Sequence, residues 1–341
     1  MSKDETVSPP RGRVTLKTIA DLTGLSLSTV SLSLRGGTTL KQETRDKVNE
    51  AARTLGYVPD RAGVRLRTGK TNVLALVLGG AEDSVDFARQ MIQGIGQAIR
   101  GSAYHLNVAP EFDRTSTDTI RYILENRTAD GVILTHTSPR DPRVQMMLDA
   151  DFPFVTHGRT EFSEKHAFHD FHAEVFAAMA VERLASKGCR KLMLAIGDDR
   201  TNNYRNIVTA FHRAAERHAI DAGLLGDTTG RSPADLRQMG QDLAHAPDRP
   251  DGLVCDSEMR AIALMGGLIE AGVMPGRDMH MVYKQTSGIL PTLFPQVDSI
   301  REDLFAAGGE LTHLLRRRID NAPLAELQTL AEPQPQWRGG D

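Results

Sequence analysis

The sequence predicts a small all-α domain at the N-terminus and a larger α/β core built from two parallel sheets flanked by helices. Between residues 14 and 57, apolar side chains recur at helical spacing and glycines separate three short segments. After residue 72, short apolar runs such as VLALVL at 73–78 alternate with amphipathic segments of helical length. Repeated β-α units of this kind build parallel sheets with helices on both faces.

The net charge of −3 conceals an uneven distribution along the 341 residues. Residues 1–70 carry 13 lysines and arginines against 7 acidic residues, a net of +6, and the remainder carries −9. A basic segment favours a polyanionic partner, with a solvated basic tail as the alternative. Two cysteines exclude a disulfide framework, and no apolar run is long enough to cross a membrane. Because the N-terminus also lacks a signal-peptide core, we expect a cytoplasmic protein.

Residues 1–13 are predicted to be a disordered arm, residues 14–60 a helical domain and residues 61–70 a basic hinge. Thr15 and Ser26 are candidate helix N-caps, Gly24 ends the first helix, and a third helix covers about 42–55. The first helix, the turn at Gly24 and the second helix from about Ser28 have helix-turn-helix spacing. The second helix and its cap carry hydroxyls suited to phosphate oxygens and base edges, at Ser26, Ser28, Thr29, Ser31 and Ser33. The pattern favours DNA binding, and a three-helix protein-interaction module is the alternative.

The core is expected over residues 71–323 in two lobes, because about ten predicted strands are too many for one small sheet. Lobe one is expected at about 71–160 with a return segment near 290–310. Lobe two is expected at about 170–285 with a C-terminal segment, and the break falls near 157–171. The tail at 324–341 is rich in proline and glutamine, and we expect it to be extended or loose.

The ordered motifs of the first 70 residues resemble one family. Residues 14–35 are followed by ETR at 43–45, by Val48, Ala51 and Ala52, and by LGYVP at 55–59, and Leu66 precedes RTGKT. This string resembles the lactose-repressor-type (LacI/GalR) family of bacterial transcriptional regulators, and the β-α body fits the same family over about residues 14–320. The resemblance implies a DNA-binding regulator, most simply a repressor, with a periplasmic-binding-protein-like core that closes on a carbohydrate-like effector. It also implies a homodimer, or a tetramer, on a pseudo-palindromic double-stranded operator.

The resemblance assigns DNA-contacting roles to ten residues. Leu27, Ser28 and Leu32 fall at base-reading positions, Tyr57 packs the small domain near the DNA backbone, and Leu66 is the hinge leucine that enters the minor groove. Phosphate contacts are implied for Thr15, Ser26, Thr29 and Ser31. The sequence departs from the family pattern where Leu32 replaces a base-reading arginine, where Arg35 replaces an asparagine, and at Gly63 and Val64 of the hinge. Leucine cannot make the bidentate guanine contact, and the hinge changes weaken a helix there.

Ligands of such cores bind at the C-terminal ends of strands, in the cleft between the lobes. The candidate effector-binding residues follow predicted strands or open the next helix: Phe87, His136, Thr137, His157, Arg159, Asp170, Asn203, Arg205, Glu258 and Lys284. Phe87 either stacks on a sugar face or packs at a helix start, and Asp170 either contacts ligand or caps a helix. Ile207 falls where the family has a hydroxyl-binding arginine, so that arginine is either absent or replaced by Arg205 or Asn203 from a shifted helix start. Lys284 replaces a family carboxylate, so it either pairs with Glu258 or attracts an anionic effector such as a sugar acid or sugar phosphate.

Other patterns in the sequence carry less chemistry. His166, His169 and His172 share a face only if their segment is helical, so we expect no metal site. Gly94 and Gly96 lie inside a helical pattern and do not form a dinucleotide loop. Because no catalytic constellation or cofactor motif appears, the sequence predicts neither an enzyme nor a cofactor. A solute-binding or sensor protein without a regulatory role remains the alternative, and it would leave the basic N-terminal domain unexplained.

Overall fold

The computed structural model describes residues 14–35, 39–58, 61–79, 84–111, 116–197 and 199–338. Two compact units divide the chain, Met1–Thr71 and Asn72–Asp341. The arm predicted at residues 1–13 lies outside the described residues. No described helix combines the length and apolarity needed to cross a membrane.

The first unit contains the predicted helix-turn-helix. Its helices are α1 (Leu16–Thr23), α2 (Leu27–Ser33), α3 (Gln42–Thr54) and α4 (Arg61–Thr68). Thr15 forms a capping box with Thr18 at the start of α1, and Gly24 ends that helix with a left-handed φ of 69°. Ser26 caps α2 by accepting a hydrogen bond from the Thr29 amide. The three predicted helices are therefore confirmed within about one residue at each end.

A small apolar core holds α1, α2 and α3 together. Ile19, Val30 and Val48 are fully buried, and the partly buried Tyr57 packs against the same cluster. The predicted basic hinge forms α4 despite its helix-weakening Gly63 and Val64. Leu66 on α4 is 90% exposed, so a large apolar side chain stands in solvent.

The second unit begins with lobe one, a six-stranded sheet with helices on both faces. Its elements up to the first crossing are β1 (Val73–Gly79), α5 (Ser84–Ala98), β2 (His105–Glu111), α6 (Asp118–Asn126), β3 (Gly131–Leu134), α7 (Pro142–Asp149), β4 (Phe154–His157) and β5 (Ala167–Phe171). β5 was not predicted, because its residues fall in the segment expected to be the break between the lobes. Its five residues are all buried, and polar residues among them hide the alternation that would mark a strand.

Lobe two contains a second six-stranded sheet. Its elements are α8 (Ala173–Ser186), β6 (Lys191–Ala195), α9 (Asn202–Arg217), β7 (Asp221–Leu224), α10 (Pro233–His245), β8 (Gly252–Cys255), α11 (Glu258–Glu270), β9 (His280–Gln285), α12 (Ile289–Leu293) and β10 (Asp298–Arg301). The chain then returns to lobe one with α13 (Leu304–Ile319) and β11 (Gln328–Ala331), and it ends in lobe two with β12 (Gln334–Gln336).

The strand orders define three crossings between the lobes. Lobe one has the order β11-β5-β4-β3-β1-β2, with all neighbours parallel, and lobe two has β12-β10-β9-β8-β6-β7, with only β12 antiparallel among its described pairs. The chain therefore crosses at 171–173, 301–304 and 331–334. The return segment expected near 290–310 starts later, because β10 still pairs with β9 of lobe two. Of the two expectations for the tail, the extended one is confirmed, because the tail supplies β11 and β12, one edge strand to each sheet.

Close helix packing anchors the returning helix α13 on lobe one. A Cβ atom on Gly94 of α5 would lie 2.1 Å from the Phe305 carbonyl oxygen, and Gly308 of α13 meets the Met91 oxygen at 2.6 Å in the same way. Glycine is required at both positions because any side chain would separate the two helices. Helix packing therefore explains Gly94, whereas a Cβ atom on Gly96 would meet nothing within 4 Å.

Candidate functional sites

The outer surface of the helix-turn-helix unit presents most of the residues predicted to contact DNA. Leu27 is 52% exposed at the start of α2, and Ser28 beside it is exposed. Thr29, Ser31 and Leu32 are partly exposed, whereas Val30 and Ser33 are buried on the opposite face. The helix therefore directs short hydroxyl and apolar side chains outward while its other face closes the core.

Several of these groups already have local hydrogen bonds. The Ser26 hydroxyl lies 2.7 Å from the Ser28 hydroxyl and 2.8 Å from the Thr29 hydroxyl. The Thr15 hydroxyl accepts the Thr18 amide, and the Arg35 Nε donates to the Ser31 carbonyl at 2.7 Å. These bonds fix the orientation of exposed side chains before any partner binds.

The two lobes enclose a cavity of about 230 Å³ at the C-terminal ends of their central strands. Both lobes and two of the crossings contribute to its wall. Nine of the ten predicted effector-binding residues line it, namely Phe87, His136, Thr137, His157, Arg159, Asp170, Asn203, Glu258 and Lys284. This cavity is called the cleft below.

Arg205 is the predicted residue that the cleft does not include. Its guanidinium lies 3.2 Å from the Glu161 carboxylate, and the side chain lines a separate surface groove between α8 and α9. The reason is helical geometry, because α9 begins at Asn202 and directs Asn202 and Asn203 into the cleft. Of the two alternatives, Asn203 therefore occupies the cleft wall and Arg205 joins lobe two to lobe one.

Glu258 holds a loop at the edge of the cleft. Its Oε2 accepts hydrogen bonds from the amides of Thr286 at 2.9 Å and Ser287 at 2.6 Å. Its Oε1 accepts the Ser287 hydroxyl at 2.8 Å and the Leu290 amide at 3.1 Å. Glu258 lines the cleft as predicted, but both of its carboxylate oxygens are engaged in shaping residues 286–290.

Lys284 pairs with Glu302, and its predicted pairing with Glu258 is wrong. The Lys284 Nζ lies 2.9 Å from the Glu302 Oε2, and His157 Nε2 lies 3.6 Å from the other carboxylate oxygen. Burial works to lower the pKa of Lys284, but the carboxylates of Glu302, Asp256 and Asp170 together outweigh burial, and the pKa rises above its ordinary value. Burial likewise works to raise the pKa of Glu302, but Lys284 keeps it below its usual range. Burial lowers the pKa of His157, which favours its neutral form.

Asp170 lies within β5, so it is not the helix N-cap offered as an alternative. Its carboxylate accepts the Arg159 Nε at 2.7 Å, while the Arg159 terminal nitrogen donates to Glu174 of α8 at 2.8 Å. Burial raises the pKa of Asp170, and the bond from Arg159 only partly opposes that shift. Arg159 therefore connects a lobe-one strand with the first helix of lobe two.

Aromatic rings form the apolar part of the cleft wall. The Phe87 ring centroid lies 4.9 Å from that of His136 and 5.5 Å from that of His157. The Phe171 ring lies 5.6 Å beneath the Lys284 Nζ. Phe87 thus packs on two other cleft residues and lines the cavity, and its stacking on a sugar face stays a prediction.

Several residues that line the cleft were not predicted from the sequence, including Phe171, Asn202, Asp256, Arg260 and Glu302. Asp256 and Arg260 form a buried ion pair at the start of α11. Glu302 follows β10 directly, so the rule that placed the other candidates after strands would have found it had β10 been predicted. Phe171 ends β5, which was also not predicted.

The three histidines at 166, 169 and 172 have separate partners. His166 contacts the Thr160 hydroxyl at 2.8 Å, His169 the Thr329 hydroxyl at 2.8 Å and His172 the Glu332 carboxylate at 3.2 Å. Across the described ranges, no three His, Cys, Asp or Glu side chains are grouped so as to hold a metal ion.

Comparison with known proteins supports both units. Residues 15–60 match the description "bacterial regulatory proteins, lacI family", and residues 181–339 match a periplasmic binding protein-like domain. The HTH-type transcriptional regulator AglR of Rhizobium meliloti (strain 1021) is 28% identical over 313 residues, which covers 89% of this chain and 87% of AglR.

Two solved structures have the same fold. A lac repressor dimer bound to operator and the anti-inducer ONPF gives a TM-score of 0.80 at 18% identity, covering 96% of this chain and 98% of the other. A complex of the transcriptional regulator CelR with cellobiose gives a TM-score of 0.69 at 23% identity, covering 96% of this chain and 99% of the other. A helix-turn-helix unit joined to a two-lobed binding core defines a DNA-binding transcriptional regulator. The chain combines a DNA-binding domain that matches the lacI family of bacterial regulatory proteins with a periplasmic binding protein-like domain.

Proposed function

We propose that the chain is a repressor whose affinity for a double-stranded operator is controlled by a small carbohydrate-like effector in the cleft. The observation that carries this proposal is the cleft wall, which combines hydrogen-bonding side chains from both lobes with the rings of Phe87 and Phe171. Sugars and polyols present hydroxyls to polar groups and C–H surfaces to rings. The similar regulator CelR was solved with cellobiose, which supports the same ligand class.

The cleft also offers a route from effector to DNA. Asn202 of lobe two donates to the Arg159 carbonyl of lobe one at 3.1 Å, and Gln90 of lobe one donates to the Thr286 carbonyl of lobe two. An effector that contacts both lobes changes the free energy of their closed arrangement relative to the open one. When that change is coupled to DNA binding, the free protein and the effector-bound protein differ in their affinity for the operator.

For the DNA interface, we propose the roles that the family pattern assigns. Leu27, Ser28 and Leu32 contact base edges in the major groove, where leucine favours a thymine methyl over guanine. The exposed Leu66 enters the minor groove as an apolar wedge. Tyr57 approaches the DNA backbone, and the remaining contacts are to phosphates from Thr15, Ser26, Thr29, Ser31 and Arg35.

We propose that two copies pair, since one helix-turn-helix covers only a half-site. An exposed apolar side chain outside the cleft supports a self-association surface on lobe two: Leu293 of α12 is 61% exposed. The dimer, or a tetramer built from it, acts in the cytoplasm and binds its effector without converting it.

Selection of DNA from a random-sequence library by the full-length protein tests the regulator function. We expect enrichment of a pseudo-palindromic site, with an affinity that falls steeply with salt because phosphate contacts release counterions. A matched selection with Leu66→Ala should weaken binding, whereas Leu293→Ala should disturb dimerisation. Absence of any enriched sequence would leave the solute-binding alternative.

A further inference from the structure

The floor of the cleft contains a buried ion pair that the family resemblance does not account for. Lys284 is the penultimate residue of β9 in lobe two, and Glu302 lies on the crossing between β10 and α13. Their side chains are 17% and 6% exposed and lie 2.9 Å apart. The Phe171 ring below Lys284 fixes the ammonium from a second side. A positive charge therefore lines the cleft, but a carboxylate already compensates it.

The other cations of the cleft are compensated in the same way. Among the described lining residues, Arg159 pairs with Asp170 and Glu174, and Arg260 pairs with Asp256. The described carboxylates of the wall outnumber these lysine and arginine groups, at Asp86, Asp170, Asp256, Glu258 and Glu302. An anion entering the cleft would meet a surplus of negative charge, whereas uncharged hydroxyls would find both donors and acceptors.

We propose that Glu302 makes the cleft selective for uncharged effectors, because it occupies Lys284 and withdraws that cation from an incoming anion. This inference rests on the proposed function, and it narrows the effector class to neutral sugars or polyols. It replaces the expectation that Lys284 attracts a sugar acid or a sugar phosphate. Glu302 is then a specificity-determining residue. It holds Lys284 in place, and the Lys284 ammonium donates hydrogen bonds to ligand hydroxyls.

The charge at residue 302 can be removed without changing the size of the side chain. In Glu302→Gln, Lys284 keeps its position over Phe171 and loses the carboxylate paired with it, so we expect the variant to gain anion affinity. Asp256 and Asp170 still act on Lys284 electrostatically, so they limit that gain. Inorganic phosphate is a suitable probe, since it reports the charge without requiring the identity of the effector.

Isothermal titration calorimetry of the full-length protein with inorganic phosphate tests the proposal. We expect phosphate to bind Glu302→Gln at least tenfold more tightly than the wild type. The double variant Glu302→Gln/Lys284→Gln should lose that gain. Glu270→Gln removes a carboxylate from an exposed ion pair with Arg237 on lobe two and should behave as the wild type. Equal phosphate affinity in Glu302→Gln and wild type would overturn the proposal.

A second measurement needs no variant and therefore does not depend on how Glu302→Gln folds. Thermal unfolding of the wild type is followed with the pairs glucose and glucuronate, galactose and galacturonate, and with glucose 6-phosphate. Stabilisation by an uncharged member without its acidic counterpart supports the proposal, and greater stabilisation by the acid or phosphate contradicts it. Failure of the proposed function is distinguishable, because it appears as an operator affinity that no bound cleft ligand changes.

Discussion

The DNA-binding surface and the effector cleft place their candidate residues in opposite ways. On the helix-turn-helix unit, the candidate residues of α2 lie within ten positions of one another and project outward from a closed core. In the cleft, Phe87 and Glu302 are more than 200 positions apart, and most charged groups are paired with each other. The DNA-binding surface is thus specified by local helix geometry. The cleft is specified by strand ends and lobe crossings that come together only in the folded chain.

The largest effect should come from breaking the local core of the DNA-binding unit. Ile19 is fully buried among α1, α2 and α3, so Ile19→Ala should cost about 2–5 kcal/mol. A unit of this size has little stability to spare. We expect operator binding to be lost while ligand binding to the core persists, as measured by fluorescence anisotropy and calorimetry. Leu22→Ala, at a position 58% exposed, is the control, and full operator affinity in Ile19→Ala would contradict the comparison.

The core should respond to acid through its buried histidines. Burial, with a smaller contribution from His157, lowers the pKa of His169 to about 4, whereas an unfolded chain has a value of about 6.5. Between these values the unfolded state binds more protons, so the stability is complete above pH 6.5 and falls as the pH approaches 4. The loss from this group amounts to about 3 kcal/mol.

Urea unfolding of the core at pH 7, 6, 5 and 4.5 measures this dependence. His169→Gln should flatten the profile, whereas His218→Gln, at an exposed position, should leave it unchanged. An identical slope in wild type and His169→Gln would show that His169 does not supply the acid sensitivity. His157 and His166 also have pKa values lowered by burial, so a reduced slope should persist in the variant.

A smaller loss is expected from Glu258→Gln. The carboxylate accepts hydrogen bonds on both oxygens from residues 286–290, and an amide presents a donor to one of these N–H groups. We expect the free energy of unfolding of the core to fall by about 2 kcal/mol and the affinity for neutral cleft ligands to weaken. Urea unfolding with Glu270→Gln as the exposed control checks this, and an unchanged midpoint would rule out the loop-holding role.

The smallest effect is predicted for Arg205→Ala. Arg205 forms an exposed ion pair with Glu161, outside the cleft, and exposed pairs contribute little. Affinity for a cleft ligand should change by less than about fivefold. Asn203 lies two residues before Arg205 on α9 and lines the cleft, so Asn203→Ala should weaken binding of the same ligand more. A larger loss of ligand affinity in Arg205→Ala than in Asn203→Ala would show that Arg205 belongs to the binding site.

The sequence predicted most of the fold because caps and apolar runs are local signals. Thr15, Ser26 and Gly24 mark ends of α1 and α2 as predicted. The rule that ligand residues follow strands placed His136, His157 and Lys284 correctly on the cleft wall. Their partners were not predictable, since Lys284 meets Glu302 only after β10 pairs with β9. β5 was missed because its polar His169 and Asp170 are buried through tertiary contacts.

The central claim is that occupancy of the cleft changes how tightly the chain holds DNA. The most direct measurement is the Kd for the selected operator, by fluorescence anisotropy at fixed salt, with and without a neutral sugar shown by calorimetry to bind the core. We predict a change of at least about fivefold, the scale of typical allosteric coupling, and the same factor in sugar affinity when operator is present. An operator Kd that stays constant while the sugar fills the cleft would contradict the account.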